Sequence, residues 1–438
     1  MKLVTHAFLW LFLYTFLALA PLLAALVGDA PDARGTWTEL SVALGFVGLA
    51  VLGLQFAVTA RSNGVDAPYG LDVVLRFHRQ MSFVGFGLVL AHPLVLFVTG
   101  AADWTLLNVV DAPWRARFGV LSLAALLGIL ATSLWRLQLR LSYEVWRLLH
   151  GLLAVVVMVG ALAHVEAVGH YVSGPWRRTL WAVMSLAVVA LLAWVRVVKP
   201  VLLLRRPWVV DDVIPRADDV WSLVLRPDGH DGFRFQPGQF VWITLGRSPL
   251  RITEHPFSIS SSAERRDAVE LTIKASGDFT SRIGEVDRGT RAHLDGPYGV
   301  FTYERNQAPA FLFVAGGIGI TPILSMLRTL ADVGDRRRMT LVYANPTLDE
   351  AVFSDELDSL ARRLELRVVH VPQEAPPGWD GPSGFVDASL LADVLPDRAD
   401  RVEAFVCGPP PMMAAMADAL DEIGVGSDRV TNERFDLI

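Results

Sequence analysis

Apolar residues in the first 200 positions fall into six long runs, at about 3–27, 40–60, 73–99, 118–135, 145–165 and 179–198. Each approaches the ~20 residues a helix needs to cross a ~30 Å hydrocarbon layer, so the pattern predicts six transmembrane helices. Lys2 before the first run, and Ala24 and Ala25 near its end, also suit a cleaved secretory signal. The run is longer than the ~7–15 apolar residues of such a signal and further spans follow, so it reads as the first span.

The pattern shortens beyond Arg205-Arg206-Pro207. VWSLVL (220–225), FVWITL (240–245), FSISSS (257–262) and VELTIKA (269–275) are short β-rich runs broken by turn residues. They predict an antiparallel β-barrel. After Pro309 strands alternate with helices: FLFVA (311–315), the amphipathic TPILSMLRTLADV (321–333), MTLVYA (339–344), VEAFVCG (402–408) and a helix from Pro410. That alternation predicts a parallel α/β sheet with helices on both faces. The expected domains are a six-helix membrane bundle at 1–200, a barrel at 205–305 and a Rossmann-like nucleotide-binding domain at 308–438.

Composition sharpens this division. Only 19% of the 438 residues are charged and 53% are hydrophobic, with a net charge of −6. Residues 1–200 carry a net +5 and the remainder −11. A single soluble domain, a disordered chain and a basic nucleic-acid binder are excluded. The one cysteine, Cys407, excludes an internal disulfide and a four-thiolate cluster. Placing the N-terminus inside puts Lys2, Arg61, Arg76, Arg79, Arg136, Arg140, Arg147, Arg196 and Lys199 on inner segments. Arg34, Arg115, Arg117, Arg177 and Arg178 fall outside. The excess inside predicts a multi-pass protein of the cell membrane with its N-terminus and everything after Lys199 in the cytoplasm.

Ionisable side chains within spans are costly and mark function. The third run carries His78 and His92, and the fifth carries His150 and His164. Both pairs are 14 positions apart, close to four turns, so each pair lies on one helix face about 21 Å apart along the axis. The two spans run in the same direction, so His78 can meet His150 and His92 can meet His164. Two readings suit such residues: core imidazoles bonded to backbone carbonyls, or imidazoles gripping a haem from both sides at each level. His6 and His170 do not share this spacing and read as structural or interfacial. Pro93 predicts a kink.

Between a buried strand and a helix lies Gly316-Gly317-Ile318-Gly319-Ile320-Thr321-Pro322. Glycines admit close backbone approach, Thr321 suits an N-cap and Pro322 a first helical position. A helix start of this kind seats a pyrophosphate, although a plain tight turn has the same residues.

Together these features resemble the ferric reductase and NADPH oxidase superfamily, in the form of a prokaryotic NADPH-oxidase-like chain: a six-span haem-binding module fused to a ferredoxin–NADP reductase-like dehydrogenase. The resemblance implies that His255, Pro256, Phe257 and Ser258 line the FAD isoalloxazine and ribityl chain. It places Lys274 beside the FAD pyrophosphate, held by Gly277, Thr280 and Ser281. Gly296 belongs to the family's GPYG turn, and Gly316, Gly317, Gly319, Thr321 and Pro322 to its nicotinamide-dinucleotide loop. Cys407, Gly408 and Pro409 match the motif beside the nicotinamide, with Cys407 shaping the hydride-transfer site, and Phe435 is the candidate aromatic stacking on the flavin. Asp436, Leu437 and Ile438 follow Phe435, a departure from the family pattern, and Leu96 stands where family oxidases often carry another histidine. Asp349 and Glu350 after the second nucleotide-domain strand favour NADH over NADPH, because acidic groups suit a free ribose hydroxyl. Arg362 and Arg363 read either as cations for the NADPH 2′-phosphate or, the preferred reading, as a solvated helix face. The implied function is electron transfer from cytoplasmic NAD(P)H through FAD and two haem b groups to an outer acceptor, oxygen first. A ferric chelate, attracted by the outer arginines, or a partner protein are the alternatives.

Overall fold

The computed structural model describes residues 2–27, 32–61, 70–246, 248–249, 254–305 and 308–433. The chain forms two compact units, 1–200 and 201–438.

The first unit is built from six helices long and apolar enough to cross a membrane. They are α1 (Lys2–Leu26), α2 (Thr36–Val58), α3 (Leu71–Val98), α4 (Trp114–Leu134), α5 (Tyr143–Val168) and α6 (Pro175–Leu204). Large apolar side chains point outward, among them Phe12 at 70% and Leu186 at 67% exposure. That is the reverse of a water-soluble surface and the expected face toward lipid. The helices pair through small residues. A Cβ on Gly48 of α2 would come 2.8 Å from Val89 of α3, and one on Gly85 of α3 would come 2.8 Å from Leu52 of α2. Gly160 of α5 lies against the Phe118 carbonyl and Ser122 of α4 in the same way. Such residues bring helix backbones close where lipid offers no hydrophobic drive.

α3 contains Pro93 within its length. One expectation needs adjusting. α6 extends to Leu204, past the expected limit at 198, because a π-turn at Trp194–Val198 precedes Pro200. There the Lys199 N–H reaches the Trp194 carbonyl, so the ladder is already shifted where the proline, which has no N–H, enters.

The second unit begins with six antiparallel strands: β1 (Trp208–Ala217), β2 (Val220–Pro227), β3 (Phe240–Leu245), β4 (His255–Ser258), β5 (Val269–Lys274) and β6 (Arg291–Tyr298). Their order is β4-β3-β6-β1-β2-β5, and an Ile259–Leu271 bridge joins the end of β4 to β5, which closes the barrel. Val210, Leu223, Leu225, Val241, Ile243, Leu271 and Ile273 fill its interior. The remainder is a parallel sheet, with β7 (Ala310–Gly316), β8 (Arg338–Asn345), β9 (Leu366–Pro372), β10 (Val402–Cys407) and β11 (Val430–Glu433) in the order β11-β10-β7-β8-β9. Alternate residues of β7 serve the two faces. Phe311 and Phe313 pack with α7 (Ile320–Asp332) and α8 (Ser354–Ala361), while Leu312 and Val314 pack with α9 (Ala388–Val394) and α10 (Pro410–Glu422). Helices therefore cover both faces, as the strand–helix alternation requires.

Charge is buried between barrel and sheet. Glu270 on β5 is 6% exposed and receives Arg216 at 3.0 Å and Arg328 at 3.2 Å. Burial pushes its carboxyl up, but the Arg328 and Arg216 guanidiniums outweigh that and hold it below the usual carboxylate range. A carboxyl depressed in the folded state stabilises above its unfolded value of about 4.3, and that stability is lost as pH falls through the folded value. Acid titration of the full chain should therefore show a loss of folded signal below about pH 4.3 that Glu270→Gln makes shallower. An unchanged acid limb in that variant would contradict the assignment.

Candidate functional site

The membrane helices bring the four histidines together as two pairs. The ring centroids of His78 and His150 are 6.3 Å apart with planes at 67°. Those of His92 and His164 are 6.1 Å apart at 70°. Two nitrogen–metal bonds of about 2 Å each, plus the half-widths of two five-membered rings, add to roughly 6 Å. Each pair is thus spaced to share one metal between its rings. Among the described residues no group of three or more metal-ligating side chains converges, so each tier offers two imidazoles.

Hydrogen bonds on the far side of each ring decide which nitrogen is available. His92 donates from Nδ1 to the Ser41 carbonyl at 2.8 Å, and the Ser41 hydroxyl donates back to the His92 carbonyl at 2.7 Å. His164 donates from Nδ1 to the Arg115 carbonyl at 2.6 Å. His78 donates from Nδ1 to Gln55 Oε1 at 3.1 Å, and the Gln55 amide is oriented by its own bonds to Tyr14 and the Val51 carbonyl. His150 Nδ1 makes a longer contact of 3.5 Å with Ser133 Oγ, which also accepts from Trp146 Nε1. With the proton on Nδ1, the lone pair lies on Nε2, the arrangement by which protein partners orient a metal-bound imidazole. Two of the four, His92 and His164, bond backbone carbonyls, as core imidazoles do, and that bond leaves the lone pair on the other nitrogen.

Glycines make room for the second tier. A Cβ on Gly45 would sit 3.2 Å from the His92 ring, and one on Gly119 would sit 3.1 Å from His164 Nδ1. Ser41, Gly45, Gln55, Gly119 and Ser133 escaped the sequence reading. The signal was faint: Gln55 and Ser41 are isolated polar residues inside apolar runs. His170 bonds the Asp32 carbonyl, a structural role. Two of the arginines expected to attract anions are engaged in bracing. Arg117 donates to the Ala112 and Val110 carbonyls, and Arg177, 6% exposed, donates to the Val27 carbonyl.

In the barrel, β4 presents His255 and Phe257 beside Phe279. The His255 ring stacks on Phe279 at 4.0 Å and 21°, and Phe257 lies nearly parallel to it at 6.2 Å and 17°. This row of near-parallel rings suits a flat heteroaromatic such as a flavin. Pro256 pairs with Trp242 in the sheet, and Ser258 is buried. The Thr280 hydroxyl is engaged within the turn. It accepts from the Ser276 and Gly277 N–H groups at 2.9 Å each and donates to the Gly277 carbonyl at 3.1 Å, so it shapes the turn itself. Lys274 pairs with Asp219 at 3.3 Å and Glu350 at 3.7 Å. Ser281 donates its backbone N–H to the Gly277 carbonyl. Gly296 lies inside β6 rather than in a turn. Its φ is +152°, and a Cβ there would meet Val241 at 2.9 Å.

The nucleotide loops meet where the strand order of the parallel sheet reverses, between β7 and β10. Cys407 pairs with Ala315 there, so the glycine turn after β7 and the Gly408-Pro409 turn after β10 leave the sheet side by side. Ligands of open α/β sheets bind outside the strand ends at such a point. The two turns interlock. A Cβ on Gly319 would run into the Cys407 carbonyl, and one on Gly316 would meet Met412 at 2.5 Å and Pro409 at 2.9 Å. Gly317, at φ +53°, faces no protein atom within 4 Å of such a Cβ. The expected Thr321 cap is corrected. The chain turns helical at Gly317–Gly319, α7 starts at Ile320, and Thr321 donates to the Ile318 carbonyl from within the first turn, with Pro322 following. The Cys407 thiol is fully buried in the apolar cluster that holds Phe313 and Phe405, and burial pushes its pKa up. The Cys407 backbone carbonyl faces Gly319 in the neighbouring turn. Phe435 lies outside the described residues.

Comparison with known proteins gives three family matches along the chain. Residues 44–161 match the family described as ferric reductase like transmembrane component, 212–302 an FAD-binding domain, and 313–418 the oxidoreductase NAD-binding domain. NADH-cytochrome b5 reductase 1 of Pyricularia oryzae is 32% identical over 41% of this chain and 60% of that protein. Its counterpart from Mortierella alpina is 31% identical over 48% and 68%. The chain thus spans about three fifths of the first of these relatives. A solved FAD/NAD-binding domain of a nitric oxide dioxygenase from Vibrio cholerae is 25% identical, covering 52% of this chain and 98% of that one with a TM-score of 0.47. A ferric-reductase-like membrane component ahead of FAD- and NAD-binding domains matches a ferric reductase/NADPH oxidase-like fusion, and the chain is a multi-pass membrane oxidoreductase.

Proposed function

We propose that the chain passes electrons from cytoplasmic NADH through FAD and two haem b groups to oxygen on the outer face of the cell membrane. The observation that carries this reading is the pair of histidine tiers, each spaced for one metal, with the His78, His92 and His164 rings tied down at Nδ1. Bound FAD would supply conversion of a two-electron donor into single electrons, and bound haems would supply one-electron sites. His78 with His150, and His92 with His164, would be the axial ligands. His255, Phe257 and Phe279 would face the flavin, and the Gly316–Gly319 and Gly408-Pro409 turns would seat the dinucleotide pyrophosphate.

The residues' work is to orient and to exclude. With two imidazoles per tier to hold it, a bound haem would favour transfer to an acceptor that does not bind the metal. Leu96, where another histidine would serve a bound oxygen, fits the same conclusion. Arg117 and Arg177 are engaged with backbone carbonyls, which weakens the case for an anionic ferric chelate. Asp349 and Glu350 beyond β8 disfavour a 2′-phosphate, and the curated relatives are named as NADH enzymes.

The test is cytochrome c reduction by the purified chain with NADH, with and without superoxide dismutase. Inhibition by the dismutase is expected. Dismutase-insensitive turnover would exclude superoxide as the product, and no turnover without an added protein would favour a donor subunit.

A further inference from the structure

α7 starts in the glycine turn that would seat the dinucleotide, and its second half is docked on the barrel. Three residues on one helical face do this. Ser325 donates to the Ser261 carbonyl at 2.7 Å, Thr329 Oγ1 accepts from the Ala263 N–H at 2.9 Å, and Arg328 Nη1 donates to the Ser260 carbonyl at 2.8 Å. The two hydroxyl bonds would dock the helix without a charge. Arg328 adds a third element. It grips Glu356 through Nε at 2.6 Å and Nη2 at 2.8 Å, while Nη1 also reaches Glu270 at 3.2 Å. The other Glu270 oxygen receives Arg216, whose Nε bonds Ser222 on β2.

Phe353 completes the cluster. It ends the segment after β8 that carries Asp349 and Glu350, at φ +67°, and its ring lies 5.0 Å from the Arg216 guanidinium and 5.5 Å from that of Arg328. A bulky side chain in the left-handed region persists only where its surroundings hold it there. One guanidinium therefore joins the pyrophosphate helix, the ribose-reading segment and the flavin barrel. Buried ion pairs are seldom a source of net stability, so a charged cluster here bears on geometry. The two-point contact with Glu356 fixes direction as well as distance.

We propose that Arg328 is a positioning residue for flavin reduction, setting the distance and angle at which the nicotinamide meets the flavin. This rests on the NADH-to-FAD reading above. The experiment is stopped-flow reduction of the FAD-loaded full chain by NADH, followed at the flavin absorbance. The variants are Arg328→Lys and the double change Arg328→Met with Glu270→Gln, which removes one charge of each sign from the cluster and keeps its net charge. The double variant should slow flavin reduction by about 10- to 100-fold, the size expected for misplacement by an ångström or so. Its FAD content and flavin midpoint potential should stay unchanged, which a general loss of structure would not allow. Arg328→Lys should fall between, because it keeps charge and loses the two-point grip. A change of less than about twofold in the double variant overturns the proposal. If the double variant fails to retain FAD, Glu356→Gln, further from the barrel, decides: slowing supports the proposal and an unchanged rate overturns it. If NADH fails to reduce the flavin of the unaltered chain, it is the underlying reading that falls.

Discussion

Replacing His92 by leucine is expected to reduce electron delivery to the outer face to background while NADH still reduces the flavin at its normal rate. The reason is geometric. His92 and His164 form one tier, with centroids 6.1 Å apart, and leucine offers no lone pair to a metal. The other tier, His78 with His150, lies four turns away along the same helices and keeps both ligands, so haem content should halve rather than vanish. Ser41→Ala should act on the same tier more gently. It removes the hydroxyl that grips the His92 backbone and keeps the Ser41 carbonyl that accepts from Nδ1. Loss of such a supporting contact costs roughly 10- to 100-fold in metal affinity. Haem content by pyridine haemochrome, set against acceptor and flavin assays, checks both. Normal outer reduction by His92→Leu would refute the route.

The second large effect is expected from Gly319→Val. A Cβ at 319 would strike the Cys407 carbonyl, and both sides of that contact are backbone. Neither the α7 start nor the β10 end can yield without opening the junction of the two turns, which is also the proposed dinucleotide seat. Overpacking of a tight site costs about 1–3 kcal/mol and sometimes more. The variant should lose NADH-driven flavin reduction while dithionite still reduces its flavin, since the barrel residues are untouched. Gly317→Ala is the contrast. Its Cβ meets no protein atom within 4 Å, so its cost comes only from the positive φ. If Gly319→Val binds and oxidises NADH normally, the interlocked-turn description is wrong.

The residues that announced themselves in the sequence did so through period. His78, His92, His150 and His164 were legible because four turns of helix separate each intrahelical pair and odd-numbered spans run parallel. The partners that orient them were not. Ser41 and Gly45 look like any small residues in an apolar run until α2 is known to lie against α3. The barrel was read from its regular strands and two were missed. β1 contains Asp211, Asp212 and Pro215 and bends at two bulges, and β6 carries Gly296-Pro297, residues that ordinarily end a strand. Thr321 was misjudged as a cap because the glycines before it turn helical themselves, which the positive φ of Gly317 permits. Arg328 could not have been told from a surface arginine by sequence. What distinguishes it is three segments distant in the chain, Ser260, Glu270 and Glu356, converging on one guanidinium.

The most direct test of the whole account is the haem content and optical spectrum of the purified, unaltered chain. Two haems per chain are expected, both low-spin with paired imidazoles, falling to one in His78→Leu and in His92→Leu alike. A chain that binds FAD but no haem, or one whose haem content is indifferent to those substitutions, would contradict the claim that paired histidines in two tiers carry electrons through the membrane.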